Sequence, residues 1–309
     1  MTSAVRSQHK AQQMPGQNQN MIIAGPCAAE TPEQIMASLV EAKKRGVDFV
    51  RISLWKPRTK PGFDGLKEAG IPLLIQAIEM GLNPGTEILT ADQAQAIVDA
   101  VLPVLQQEAN QERKLMLWIG ARNQNHVIQH DIAKVAALAN QHCANAACPG
   151  GRIVVMAKNQ PWASQDHWEG ISSHLLSSGI NPENVIMCHR GFTASKHDPN
   201  PMGLRNLPDS EMAMAIREKT GLKMILDISH IAGCRSTIDP IAQEAAKHAY
   251  DGLIIEVHPD PLNAWTDAKQ QITWDTLDQL LVDIGYRAKK EAVIKELPLK
   301  VVVKEMALA

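Results

Sequence analysis

The chain has 309 residues, of which 45% are hydrophobic and 21% charged, a composition that is typical of a globular protein and excludes wholesale disorder. Its 31 lysines and arginines nearly balance 33 aspartates and glutamates, so the overall charge indicates neither nucleic acid nor an anionic membrane as a partner. No apolar run approaches the roughly 20 residues of a membrane-spanning helix, and the polar N-terminal segment lacks the apolar stretch of a secretory signal. We therefore expect a cytoplasmic protein. Its five scattered cysteines predict reduced thiols.

Eight short apolar runs recur along the chain, and longer segments of helical composition separate them. Most runs are continuously apolar, as expected for strands of a parallel sheet that is covered on both faces. The predicted strands are 21–27, 47–53, 83–89, 114–120, 152–159, 184–191, 223–230 and 251–258. The predicted helices include 32–45, 65–80, 91–109, 127–142, 209–219 and 238–249. Pro84 and Gly85 disfavour a central position for the third strand.

The first predicted helix has a distinct start signal. Thr31 is a suitable N-cap, and Pro32 fits the first helical position. Gln34 stands where a capping box requires a glutamine or glutamate. These residues predict a helix that begins at Pro32.

The strict alternation of strands and helices, with strand starts near 30 residues apart, predicts the α/β class and a single (β/α)8 barrel, the TIM barrel. A doubly wound open sheet is the alternative, but its usual G-x-G-x-x-G turn does not occur in the sequence. We assign the barrel to residues 21–290. A short flexible N-terminal arm at 1–20 and a C-terminal tail at 291–309 flank it.

Polar or charged side chains close the predicted strands. In a TIM barrel the carboxyl ends of the strands form the active-site mouth, so we expect these side chains to face one cavity. They are Cys27, Arg51 with Lys56, Glu87, Arg122, Lys158, Arg190, His230 and Glu256. The cationic members suit carboxylates and phosphates. They predict two anionic substrates, or one with several phosphates.

A second group of side chains offers ligands for a metal ion. Cys27, His230, Glu256 and the downstream Asp267 provide sulfur, nitrogen and oxygen atoms, which suit a divalent ion such as Mn, Fe, Co or Zn. Their spacing forms no local motif, and a single cysteine at a strand end is more often a small buried apolar residue. The residue types alone leave both interpretations open.

Nine short motifs along the barrel match a known family in order. They are IAGPC (23–27), WKPRT (55–59), GTE (85–87), IGAR (119–122), AKN (157–159), HRGF (189–192), DISH (227–230), EVHPDP (256–261) and NAWTDAKQQ (263–271). With these motifs the chain resembles the type I 3-deoxy-D-arabino-heptulosonate-7-phosphate (DAHP) synthases, particularly the I-beta kind. The resemblance implies a transferase that condenses phosphoenolpyruvate with erythrose 4-phosphate, the first step of the shikimate pathway towards aromatic amino acids. It also implies a divalent metal ion and a homo-oligomer, either dimer or tetramer.

The resemblance implies a role for each matching residue. Phosphoenolpyruvate would contact Arg51, Arg122, Lys158 and Arg190. Erythrose 4-phosphate would contact Lys56, Pro57, Arg58 and Thr59. The metal ligands would be Cys27, His230, Glu256 and Asp267. Lys56, Glu87 and His230 would take part in catalysis, with Glu87 positioning a reacting water or the groups next to it.

Three other functions, two enzymatic and one non-catalytic, are compatible with parts of this pattern. A 3-deoxy-octulosonate 8-phosphate synthase shares the barrel and the phosphoenolpyruvate chemistry but uses arabinose 5-phosphate, and it typically lacks K-P-R-T. A Schiff-base aldolase would use Lys158 as its nucleophile and would not need the four metal-binding side chains. A non-catalytic barrel would serve as a regulatory or binding partner, but no residue of the two motif groups is missing.

Overall fold

The computed structural model describes residues 20–57 and 61–287 and contains a closed barrel of eight parallel strands. The strands in these two ranges are β1 (Met21–Gly25), β2 (Phe49–Arg51), β3 (Pro84–Ile88), β4 (Leu115–Ile119), β5 (Ile153–Lys158), β6 (Val185–His189), β7 (Phe192–Thr193), β8 (Asn206–Leu207), β9 (Lys223–Asp227) and β10 (Gly252–Glu256). The barrel order is β1-β10-β9-β6-β5-β4-β3-β2, and β7 and β8 form a separate antiparallel hairpin. The predicted TIM barrel is confirmed, and the open-sheet alternative is wrong.

Helices cross between the strands, as parallel pairing requires. They are α1 (Pro32–Arg45), α2 (Ile71–Glu79), α3 (Ala91–Leu105), α4 (His126–Cys143), α5 (Gln165–Ser177), α6 (Ser210–Thr220), α7 (Ile228–Ala232), α8 (Ile238–Ala245) and α9 (Trp274–Asp283). The six helices named from the sequence are present. The largest difference is at α2, which was predicted from residue 65 but begins at Ile71 after a 3-10 turn (Lys67–Gly70). No helix in the described ranges is both long and apolar enough to cross a membrane.

The strand predicted at 223–230 is too long by three residues. It ends at Asp227, whose side chain caps the short helix α7 by accepting a hydrogen bond from the backbone N–H of His230 at 3.1 Å. The last part of the predicted strand is therefore helical. This change of direction lifts His230 out of the sheet and over the end of the barrel.

The start of α1 agrees with its predicted cap. Thr31 Oγ1 accepts the N–H of Gln34 at 3.1 Å, and Pro32 is the first helical residue. The capping box is wrong in one bond, because the Gln34 side chain accepts from the N–H of Glu30 at 3.2 Å instead of that of Thr31. The backbone of Glu30, the residue before the cap, is therefore hydrogen-bonded to the first turn of the helix.

Pro84 does not prevent β3 from occupying a central place in the barrel. It is the first residue of the strand, paired with Val50, and the N–H of Val50 donates to the carbonyl of Asn83 at 2.9 Å. A proline at the first position of a strand removes no bond from the interior of the ladder.

Two layers of apolar side chains pack around the sheet. Ten buried residues fill the inside of the barrel, so it is a packed core and not a pore. They are Ile23, Phe49, Met116, Trp118, Val154, Met156, Ile186, Cys188, Ile225 and Ile254. A larger layer packs between the strands and the helices. Because these side chains fill the interior, a ligand can bind only at an end of the barrel.

All five cysteines are free thiols, in agreement with the sequence prediction. The tail at 291–309 lies outside the described residues, and so does the arm at 1–20 except for Asn20.

Candidate active site

The side chains expected at the mouth lie at the carboxyl ends of the strands. Arg51, Lys158 and Glu256 are the last residues of β2, β5 and β10, and Glu87 is the next to last of β3. Cys27, Arg122 and Arg190 follow β1, β4 and β6, and His230 lies on α7. Of the predicted sugar-phosphate contacts, Arg58 and Thr59 lie outside the described residues.

Cys27, Glu256 and Asp267 bring potential ligand atoms together, all within 4.8 Å of one another. The Cys27 thiol donates to Asp267 Oδ2 at 3.3 Å, and both Cys27 and Glu256 are fully buried. His230 Nε2 lies 3.7 Å from Glu256 Oε1 and so adjoins this cluster. Three candidate ligands thus form one cluster, and His230 borders it beside Glu256.

The charges around this cluster have clear causes. Burial, reinforced by Glu256, raises the pKa of the Cys27 thiol to about 12. Burial opposes ionisation of Glu256, but His230, Arg51 and Lys56 hold its pKa at about 2. Lys56 and Arg205 likewise keep the pKa of Asp267 below its usual value against the effect of burial. Without a bound cation the cluster therefore carries two carboxylates and a protonated thiol.

Asp227 fixes the orientation of His230. Its fully buried carboxylate accepts from Nδ1 of that ring, 2.9 Å from Oδ2, and from Lys158 Nζ at 2.6 Å. Burial lowers the pKa of His230 to about 4 despite the nearby Asp227, so the ring is neutral. Because a carboxylate only accepts, the proton is on Nδ1 and the lone pair of Nε2 faces Glu256. A histidine that binds a metal needs this protonation state and this kind of partner.

The four side chains therefore fit a divalent metal ion by their chemistry. They offer one sulfur, one imidazole nitrogen and two carboxylates, a set that suits Mn, Fe, Co or Zn. A hydrogen-bonded carboxylate behind the imidazole completes the arrangement that is usual around such ligands.

Arg51 lies under this cluster at the floor of the mouth. Its guanidinium is 5.2 Å from the centroid of the Trp118 ring, and Nη2 donates to Glu256 Oε1 at 3.0 Å. Within the described ranges, no hydrogen-bond partner reaches its buried Nε and Nη1 atoms. Buried donors are normally satisfied, so these two N–H groups are suited to an anionic acceptor that enters the mouth.

Arg122, Arg190 and Arg205 are close enough in the mouth for their positive charges to interact. Arg190 Nη1 donates to Asn206 Oδ1 at 3.1 Å, and Arg122 Nη1 donates to the carbonyl of Pro57 at 3.2 Å. Burial lowers the pKa of Arg190, and the positive charges of Arg205 and Arg122 lower it further, although Asp227 opposes them. An anion between these guanidinium groups would relieve their mutual repulsion.

Lys56 and Glu87 border the same space. Lys56 Nζ lies 3.3 Å from Asp267 Oδ2. Burial opposes the positive charge of Lys56, but the carboxylates of Glu256 and Asp267 raise its pKa. Glu87 is half-buried and extends over Gly120, where an added Cβ would lie 2.1 Å from Glu87 Oε1. The glycine of the I-G-A-R motif therefore provides room for the Glu87 carboxylate.

Several polar residues of the site were not among the predicted ones. Besides Asn206, the partner of Arg190, they include Asp227, Arg205, Gln270 and Gln271. Asp227 was visible in the D-I-S-H motif, three residues before His230 at the start of a helix, and both glutamines stand in the NAWTDAKQQ motif. Arg205 lies in the loop before β8, and nothing in its local sequence marks it.

The closed parallel barrel, with charged side chains gathered at the carboxyl ends of its strands, places the chain among the (β/α)8-barrel enzymes. A sequence model of the DAHP synthetase I family matches residues 4–289, and the chain belongs to this family. The predicted enzyme class is thereby confirmed, and a non-catalytic barrel is not supported.

Relatives of known name agree with this assignment. A phospho-2-dehydro-3-deoxyheptonate aldolase of Thermotoga maritima is 27% identical over 265 residues, which are 85% of this chain and 68% of the relative. A 2-dehydro-3-deoxyphosphooctonate aldolase of Magnetococcus marinus is 28% identical over 298 residues, which are 89% of this chain and 90% of the relative. The crystal structure of the Thermotoga maritima DAHP synthase has a TM-score of 0.69 at 25% identity and covers 86% of this chain, which in turn covers 68% of that structure. The family thus includes relatives named for two different sugar products.

Proposed function

We propose that this enzyme condenses phosphoenolpyruvate with erythrose 4-phosphate to give DAHP and inorganic phosphate, with a divalent metal ion as cofactor. The observation that carries the proposal is that the candidate metal ligands and the cationic side chains lie next to each other at the same mouth of the barrel. The cluster of Cys27, His230, Glu256 and Asp267 adjoins the cationic side chains of Arg51 and Lys56. A metal site next to cationic groups fits a reaction between two anionic phosphate esters.

Cationic side chains would bind and orient phosphoenolpyruvate. Two N–H groups of Arg51 have no partner among the described residues, and the Lys158 ammonium, which donates to Asp227, lies at the same end of the barrel. Arg122 and Arg190 would hold the phosphate, whose negative charge would separate their own positive charges. Fixed donors of this kind lower the barrier by orienting the reactants and stabilising developing charge.

The reaction forms one carbon–carbon bond and releases one phosphate. Carbon 3 of phosphoenolpyruvate attacks the sugar aldehyde, water adds at carbon 2, and the bond between carbon 2 and the phosphate oxygen then breaks. Lewis-acid polarisation of an oxygen is the chemistry that a divalent metal ion supplies in such a site. Lys56 would contact both substrates, and Glu87 would position the reacting water. His230 would serve as a metal ligand, held in place by Asp227.

The intact K-P-R-T motif favours erythrose 4-phosphate as the sugar. Lys56 and Pro57 border the mouth, and Arg58 and Thr59 follow them in the chain. Arabinose 5-phosphate is the second candidate, because several relatives carry the name 2-dehydro-3-deoxyphosphooctonate aldolase. The Schiff-base alternative is disfavoured, since it would give no role to the sulfur, nitrogen and oxygen donors around Cys27.

Phosphate release from phosphoenolpyruvate with each sugar phosphate tests this function. We expect a far higher kcat/KM for erythrose 4-phosphate than for arabinose 5-phosphate, and no turnover after chelation until Mn or Co is added. Arg58→Ala should mainly raise the KM for the sugar phosphate, whereas Arg122→Ala should mainly affect phosphoenolpyruvate. A preference for the five-carbon sugar would reassign the enzyme to the second candidate. Full activity in protein shown to be metal-free by elemental analysis would exclude the metal-dependent reaction.

A further inference from the structure

Two adjacent glutamines lie behind the candidate metal ligands and are almost wholly inaccessible to solvent, with Gln270 2% and Gln271 0% exposed. The Gln271 side chain links the backbone at Cys27, the first candidate ligand in the chain, to the backbone beside Asp267, the last one. Its Oε1 accepts the backbone N–H of Cys27 at 2.9 Å, and its Nε2 donates to the carbonyl of Thr266, next to Asp267, at 2.8 Å. One amide thereby spans two segments that are more than 200 residues apart in the chain.

Gln270 joins the remaining carboxylates in the same way. Its Nε2 donates to Glu256 Oε2 at 2.6 Å, and its Oε1 accepts from Arg205 Nη1 at 2.8 Å. Arg205 Nη1 in turn lies 3.5 Å from Asp267 Oδ1. The two amides therefore connect Cys27, Glu256 and Asp267 into one hydrogen-bonded frame.

The backbone of Asp267 shows why such a frame is needed. Asp267 has a φ of 43°, in the left-handed region that residues other than glycine rarely adopt. Strained positions of this kind persist only where the surrounding structure holds them. The backbone N–H of Gln270 donates to the carbonyl of Asp267 at 3.0 Å, and the Gln271 side chain holds the preceding carbonyl.

We infer that Gln270 and Gln271 are positioning residues that preorganise Cys27, Glu256 and Asp267 for a divalent metal ion. The inference deepens the proposed function and rests on its metal dependence. Only a primary amide fits both places, because each must donate through nitrogen and accept through oxygen at once. Partners behind the ligands of a metal set its affinity, and their loss typically weakens binding about 10- to 100-fold.

Cobalt(II) binding to the metal-free protein tests this inference independently of catalysis. The probe is cobalt chloride, and the readout is the thiolate-to-cobalt charge-transfer absorption together with the visible d–d bands. In Gln270→Met and Gln271→Met we expect the cobalt Kd to rise about 10- to 100-fold and the bands to change in intensity. Gln279→Met is the matched control, since Gln279 is exposed on α9 and bonds only to Asp283 at 2.7 Å among the described contacts, and its cobalt Kd should equal that of the wild type.

A structural role without a metal role gives a different result. If the two variants lower the melting temperature of the metal-free protein but keep the wild-type cobalt Kd and spectrum, the inference is wrong. Should Gln271→Met fail to fold, Gln271→Asn keeps the neutral amide but is one methylene shorter, so it cannot reach the Cys27 N–H and the Thr266 carbonyl at once. Its cobalt Kd should also rise about tenfold or more, and an unchanged value would overturn the inference. A wild-type protein that binds no cobalt would contradict the proposed function itself, and with it this inference.

Discussion

At the scale of single residues, His189 shows how strongly the barrel constrains a titratable group. It ends β6 directly before Arg190 and is fully buried, with its ring stacked on Trp168 at 5.3 Å between centroids. Its Nε2 accepts the backbone N–H of Asp209 at 2.9 Å, so the ring is neutral. Burial, and then the positive charge of Arg190, lower the pKa of His189 to about 3.

This shift predicts a pH-dependent stability. An unfolded histidine has a pKa of about 6.5, so between pH 6.5 and about 3 the unfolded chain binds a proton that the native state excludes. The free energy of unfolding should therefore fall as the pH drops through this window, by up to about 1.4 kcal/mol per pH unit for this one group. His189→Gln keeps an acceptor for the Asp209 N–H, and its unfolding free energy should fall less steeply. Urea unfolding of metal-free protein at several pH values measures both slopes.

The control for this prediction is His142→Gln. His142 is exposed on α4, so its replacement should leave the wild-type slope unchanged. Equal slopes for the wild type and His189→Gln would show that His189 does not cause the effect.

At the scale of secondary-structure elements, one arginine caps two helices. Arg152 is buried just before β5, and its Nε donates to the carbonyl of Cys143 at 2.7 Å. Its Nη1 donates to the carbonyl of Leu105 and, at 3.0 Å, to that of Asn110. Leu105 and Cys143 are the last residues of α3 and α4, whose terminal carbonyls have no partner within their helix.

Arg152→Met should therefore destabilise the protein strongly. It removes the donor of the Cys143 and Leu105 carbonyls, whereas the Asn110 carbonyl keeps the backbone N–H of Arg113 at 2.9 Å. Each unsatisfied buried group costs about 1–3 kcal/mol, so we expect a loss of at least about 2 kcal/mol in the free energy of unfolding. Urea unfolding provides the measurement. Arg113→Met is the control, because Arg113 donates to the Gly81 carbonyl at a more exposed position, and its loss should stay below about 1 kcal/mol. Similar losses in the two variants would contradict the capping role.

The elements also show what sequence reasoning can and cannot reach. Continuous apolar runs predict all eight barrel strands because both faces of a parallel sheet are covered. Helix α9 carries a clear helical pattern in Trp274, Leu277 and Leu281 and could have been named from the sequence, whereas polar residues dilute the pattern of α5. The hairpin of β7 and β8 has strands of two residues, too short for any periodicity.

The candidate site likewise contains residues that could be predicted from the sequence and residues that could not. Residues at strand ends could be predicted, because parallel pairing brings all the carboxyl ends to one rim. The roles of Gln270 and Gln271 could not, since they depend on the path of the loop after β10. Asp227 lies between these cases, because its place before His230 is local while its bond to Lys158 is not.

At the scale of the whole molecule, a bound metal ion would join the first strand of the barrel to the segment after its last strand. A ligand that binds only the native state adds about 2.7 kcal/mol of stability at a concentration of 100 Kd. We therefore expect Mn or Co to raise the melting temperature of the metal-free wild type. Cys27→Ala should lose this increase. Cys143→Ala should retain it even though a buried thiol is removed, and loss of the increase in that control would place the ion elsewhere.

The pairing of β1 with β10 also governs when the site can come into existence. Cys27 and Asp267 are 240 residues apart, so a ribosome that adds roughly 5–20 residues per second needs about 12 to 48 s between them. Until the last strand has been made, β1 has an open edge and the Cys27 thiol has none of its distant partners. A nascent chain therefore cannot assemble the site early. During synthesis the Cys27 thiol is therefore accessible to solvent, and only the closed barrel buries it completely.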